Sequence, residues 1–115
     1  MAEHNIFNLL PLLSKTKDGQ KQRIREDILT LLQKQPDTAK QKEKDGWTPL
    51  HNACYFEAPL EIVAALIEIW PDAVKQKDED GWTPLHIACY FQAPLEIVAA
   101  LLKIWLLAVE EKKKK

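Results

Sequence analysis

The side chains of this 115-residue chain best suited to chemistry are two pairs, His51 with Cys54 and His86 with Cys89. A thiol three residues beyond an imidazole on a helix shares a face with it, which would make an activated nucleophile if a third group oriented the imidazole. The same donors would serve a metal ion if further ligands joined them. No third group accompanies either pair, and both pairs return inside the same longer string of residues, as parts of a scaffold do. The carboxylates of a type able to act as acid and base, Glu61, Glu68 and Glu96, fall on the polar side of helical patterns and form no pair. We therefore expect no catalytic residue, no metal site and no cofactor.

Composition narrows the remaining classes. Hydrophobic residues make up 46% of the chain and charged residues 29%, which suits one folded domain with an apolar core. The three glycines, Gly19, Gly46 and Gly81, have neither the Gly-x-Gly spacing nor the Gly-Lys-Ser/Thr sequence of a phosphate-cradling loop. A net charge of −1 provides no global attraction for nucleic acid or an anionic membrane, and only Lys112 to Lys115 are locally basic. Apolar runs fall far short of the ~20 residues that span a bilayer. The N-terminal apolar residues Ile6, Phe7, Leu9 and Leu10 lack a basic lead and are interrupted by Pro11, so no secretory signal is expected. The chain reads as intracellular, cytoplasmic if made in a cell, or as a recombinant product.

The elements that must position these residues are set by a repeat. Asp45-Gly46-Trp47-Thr48-Pro49-Leu50-His51 returns as Asp80-Gly81-Trp82-Thr83-Pro84-Leu85-His86, a period of 35, and 24 of 31 positions are identical between 45–75 and 80–110. Copies this alike point to recent duplication or to design. A degenerate unit precedes them, Leu31 to Lys42 mirroring Leu66 to Lys77, so the chain divides into a leading capping unit (1–44), an internal unit (45–79), a last unit (80–111) and a lysine tail (112–115). Three units are about the minimum for a stable stack.

Each unit reads as two helices. Thr48 and Thr83 are N-cap candidates, and Pro49 and Pro84 occupy the first helical position, where a missing N–H costs nothing. A helix over 49–56 follows. Beyond the turn Glu57-Ala58-Pro59, the apolar residues Leu60, Ile62, Val63, Leu66, Ile67 and Trp70 share about half of a helical wheel, which predicts a second, amphipathic helix stopped by Pro71. In the leading segment, Pro11 leaves open one kinked helix or a short helix starting there.

Asp-Gly-x-Thr-Pro-Leu-His-x-Ala at 45–53 and 80–88, followed by Leu-Glu-Ile-Val, resembles the ankyrin repeat over about residues 22–109. The period is 35 rather than 33, Glu57-Ala58-Pro59 stands where a Gly-His turn is usual, and the leading unit lacks Thr-Pro-Leu-His. The resemblance implies an all-α solenoid of stacked helix-turn-helix units and a non-catalytic role in protein interaction. It also implies that Thr48, Pro49, His51, Thr83, Pro84 and His86 are structural, His51 and His86 tying one turn to its neighbour. Cys54 and Cys89 then become buried free thiols, because stacked repeats hold equivalent Cα atoms about 10 Å apart, beyond the ~7 Å a disulfide allows. Trp47, Tyr55, Phe56, Trp82, Tyr90 and Phe91 fall at the positions that resemble the ligand-facing concave side.

The last unit departs from the rule that a terminal repeat has a polar outer face. Leu106-Leu107 replaces Pro71-Asp72, two helix formers in place of a stop, so the helix should extend and carry Leu106 beside Ala99 and Leu107 beside Ala100. Burying two leucines is worth roughly 3–6 kcal/mol. The expected function is therefore a designed ankyrin-type module that self-associates into a symmetric homo-oligomer. Its expected interface is Leu106, Leu107, Ala99, Ala100, Ile104 and Lys103, with Ala64 and Ala65 on the equivalent helix. The alternative is recognition of a different protein through the concave aromatics. Neither nucleic acid nor membrane is an expected partner.

Overall fold

Thr48 and Thr83 each start a helix by the same local chemistry. In a computed structural model, which describes residues 5–113 apart from the side chains of Asp18 and 108–113, the Thr48 hydroxyl accepts the His51 backbone N–H at 3.3 Å while His51 Nδ1 accepts the Thr48 N–H at 3.1 Å. This is a reciprocal capping box with histidine in the usual place of glutamate. Thr83 and His86 repeat it at 3.3 and 3.0 Å.

These caps begin the fourth and sixth of seven α-helices among the described residues. In order these are α1 (Ile6–Leu9), α2 (Leu12–Lys15), α3 (Asp18–Lys34), α4 (Pro49–Tyr55), α5 (Leu60–Ile69), α6 (Pro84–Tyr90) and α7 (Leu95–Lys113), with 3-10 turns at Pro36–Lys40 and Pro71–Lys75. No strand occurs among the described residues, and the fold is an all-α stack measuring 47 × 27 × 25 Å. No helix among them is long and apolar enough to cross a membrane.

The short first helix of each unit ends one residue earlier than the sequence suggests. Phe56 and Phe91 are caps outside α4 and α6, and the residues after them, Glu57 and Gln92, adopt left-handed φ of 60° and 58°. The Ala58 N–H then reaches back to the Ala53 carbonyl at 3.0 Å, and Ala93 to Ala88 at 2.8 Å. That is the Schellman stop, normally built on glycine. It explains how Glu57-Ala58-Pro59 serves where Gly-His is usual.

The second helix, α5, buries Ile62, Val63, Leu66 and Ile67. Leu60 is 36% exposed and Trp70 half-buried, so the buried face is narrower than the full apolar stripe of the sequence. α5 ends before Pro71, which opens the 3-10 turn that carries the chain to the next unit. α7 meets no such stop at the equivalent Leu106 and runs 19 residues against 10 for α5, as far as Lys113.

The leading unit resolves the ambiguity at Pro11 as two short helices. Asn5 caps α1 by accepting the Phe7 N–H at 2.8 Å, and Ile6, Leu10 and Leu13 drop into the core. One continuous cluster then joins Ile28 and Leu32 of α3, Leu50 and Ala53 of α4, Ile62 and Leu66 of α5, Ile87 and Ala88 of α6 and Ile97 and Leu101 of α7.

Candidate interaction surfaces

The turn between units is a hydrogen-bonded stitch. Asp78 Oδ2 accepts the indole N–H of Trp47 at 2.9 Å, while Asp78 Oδ1 accepts the backbone N–H of Asp80 and of Trp82, each at 2.8 Å. Partial burial works to raise the Asp78 carboxyl, but these donors and the nearby His51 outweigh it and hold its pKa below the usual carboxylate range. Glu79 donates to the Asp45 carbonyl at 2.9 Å, joining successive loops directly.

His51 completes the stitch. With Nδ1 accepting from Thr48, its Nε2 carries the proton and donates to the Trp82 carbonyl at 2.9 Å. The ring is fully buried, and desolvation pushes its pKa below the ordinary histidine value despite the Trp82 bond and the charges of Asp78 and Asp45. Both ring nitrogens are committed to the scaffold. Burial also pushes the Cys54 thiol up to about 12, which leaves no thiolate for nucleophilic attack. Among the described residues no group of three or more His, Cys, Asp or Glu side chains is placed to hold a metal ion.

The aromatic residues expected on one side of the stack do come together. Rings meet edge to face from Trp82 to Tyr90 (5.2 Å), Tyr90 to Phe91 (4.9 Å), Phe91 to Tyr55 (4.7 Å) and Tyr55 to Trp47 (5.5 Å), with Phe56 against Tyr55 at 4.8 Å. Such pairs add roughly 0.5–1.5 kcal/mol each beyond area burial. Tyr55, Tyr90 and Phe91 remain exposed, whereas Trp47, Trp82 and Phe56 are half-buried.

The outward residues of α7 are less uniform than the sequence suggests. Leu106 and Leu107 are 54% and 50% exposed, and Ala99 and Lys103 are open to solvent. Ile104 and Ala100 are half-buried, and Ile104 packs on the core; on α5, Ala64 is exposed while Ala65 packs on the core. Ile104 and Ala65 therefore offer a partner only part of their surface, the rest being packed on the core of their own chain. The side chains of Ala108, Val109 and the tail Lys112–Lys115 lie outside the described residues.

Sequence reasoning recognised the apolar outer face of the last unit but missed which copied residues it leaves open. Several residues of the internal unit that the next unit covers have copies in the last unit that are open to solvent. His51 and Cys54 are buried, yet His86 and Cys89 are exposed, which corrects the expectation of two buried thiols. Ile67 is 6% exposed, whereas its counterpart Leu102 is 44% exposed, and Leu95 reaches 82%. A groove of about 560 Å³ opens there, lined by Trp82, Thr83, Leu85, His86, Cys89, Tyr90 and Trp105. The signal was present in the repeat itself, since a covered residue copied into the last unit must lose its cover.

Compared with known families, residues 20–110 match the model described as ankyrin repeats, in three copies. No curated protein matches the chain.

Proposed function

The chain belongs to the ankyrin-repeat family, a fold of protein–protein interaction, and from that premise we propose that it is a non-catalytic assembly module that binds copies of itself. One observation carries this reading: α7 runs through the position where Pro71 stops α5 and carries Leu95, Leu102, Leu106 and Leu107, all exposed. Four leucines on one helix form an apolar surface of the kind that marks an interface. The near identity of the two full units supports design or recent duplication as their origin. Engagement of His51 and Cys54 by the scaffold supports the absence of catalysis.

Light scattering behind a sizing column, over a concentration series, tests the reading. The expected result is a discrete multiple of 13.2 kDa, with Leu106→Glu plus Leu107→Glu giving folded monomer. A monomer at every concentration would reject it.

The continuous run of aromatic rings favours a second reading, a binding module for a different protein. It expects a monomer in isolation. Tyr90→Ser with Phe91→Ser would then abolish capture of the partner while leaving the mass unchanged.

A further inference from the structure

We infer that two copies meet end to end through the open face of the last unit, with their α7 helices antiparallel about a two-fold axis. This rests on the self-association reading above and specifies its surface and geometry.

The face is already an interface elsewhere in the same molecule. Leu50, His51 and Cys54 of α4 are covered by α6, and Ile67 of α5 is covered in the same stacking of units. Their copies Leu85, His86 and Cys89 are the same residue types, and Leu102 replaces Ile67. The open end therefore retains a surface shaped for a pair of helices.

α7 adds to it a seam that α5 lacks. Leu95, Ala99, Leu102 and Leu106 are spaced four, three and four residues apart, the spacing that keeps one stripe facing a partner helix along its length. All four are exposed. The equivalent stripe on α5 is cut short, because Pro71 stands where α7 has Leu106. Leu107 follows Leu106 by one residue, about 100° around the helix, and so lies off the seam.

The occupant follows from charge and from the other end of the stack. Glu96 and Lys103 flank the seam on one side, seven residues apart and both exposed. In an antiparallel pair, Glu96 of each copy faces Lys103 of the other, giving two complementary pairs. The α5 positions are Glu61 and Glu68, which would repel in the same arrangement; the change from Glu68 to Lys103 is one of the seven differences between the units. Head-to-tail stacking finds no match, since α3 at the leading end exposes Gln22, Arg23, Glu26, Asp27, Thr30 and Gln33. An apolar end whose flanking charges complement themselves selects a closed, isologous dimer over an open filament.

The test is light scattering on four variants of the full chain, with circular dichroism to establish that each is folded. Leu102→Glu is expected to give monomer. Lys103→Glu is expected to weaken the dimer roughly tenfold at low salt, and Glu96→Lys combined with Lys103→Glu to restore it. Leu107→Glu is expected to leave a species of twice 13.2 kDa. A dimer that survives Leu102→Glu and Lys103→Glu but dissociates in Leu107→Glu would overturn this surface and leave self-association standing. An unaltered chain that is monomeric throughout would overturn both.

Discussion

The indole N–H of Trp47 is held by Asp78, 31 residues further along the chain, at 2.9 Å, whereas in the last unit α7 continues as helix through the positions that would copy the Asp78 turn. Trp47 is thus part of the stitch between units as well as of the aromatic face. Asp78→Ala removes the acceptor for three N–H groups. It should cost about 1–3 kcal/mol, whereas Asp80→Ala, whose side chain is exposed, should cost under about 0.5 kcal/mol. Urea unfolding of the two variants checks the contrast, and equal losses would refute it.

Acid should weaken the fold in two steps of the same sign. Folded His51 resists protonation, so as pH falls below about 6.5 the unfolded chain takes up a proton that the folded chain refuses. Stability from this source is full above that value and declines as pH drops toward the lowered folded pKa. Asp78, also lowered, adds a further loss below about pH 4. The charges beside His51 are Asp78, Asp45 and Lys42. The melting temperature should fall between pH 7 and 5, and His51→Gln, though less stable, should lose most of that slope.

Two glycines with the same φ of 86° should tolerate alanine differently. A Cβ on Gly46 would stand 3.1 Å from Asp78 Cα and 3.3 Å from Glu79 N, whereas one on Gly81 meets nothing within 4 Å. Gly81→Ala bears only the left-handed backbone penalty, about 1–2 kcal/mol. Gly46→Ala bears that and the displacement of the following loop. Thermal unfolding should place Gly46→Ala clearly below Gly81→Ala.

Glycine in the opposite direction should help. Glu57 and Gln92 hold left-handed conformations that glycine adopts freely. Gln92→Gly or Glu57→Gly should stabilise by about 0.5–1 kcal/mol, the relief of strain exceeding the added freedom of the unfolded chain. Chemical denaturation would show it as a higher midpoint at unchanged slope.

The helical stack was legible because its signals are local and written twice. Thr48 with Pro49, Pro71, and the Ile62, Val63, Leu66 spacing each determine backbone or burial within a few residues. The Schellman turn was not legible, since Glu57 gives no sign of a left-handed φ and the geometry follows from the Ala58 to Ala53 bond. Nor was the difference between Cys54 and Cys89, which are identical in local sequence and differ only in what packs above them. The Asp78 stitch escaped notice for the same reason, because its partners are separated by a whole unit.

A stack closed at one end and open at the other also has a direction in which it loosens. Helices α4 and α5 have a neighbouring unit on both sides, whereas α6 and α7 pack against the internal unit alone among the described residues. In an isolated chain, fraying should begin in the last unit and advance toward α3, so amide protons of α6 and α7 would exchange with deuterium well before those of α4 and α5, although the two units share most of their sequence.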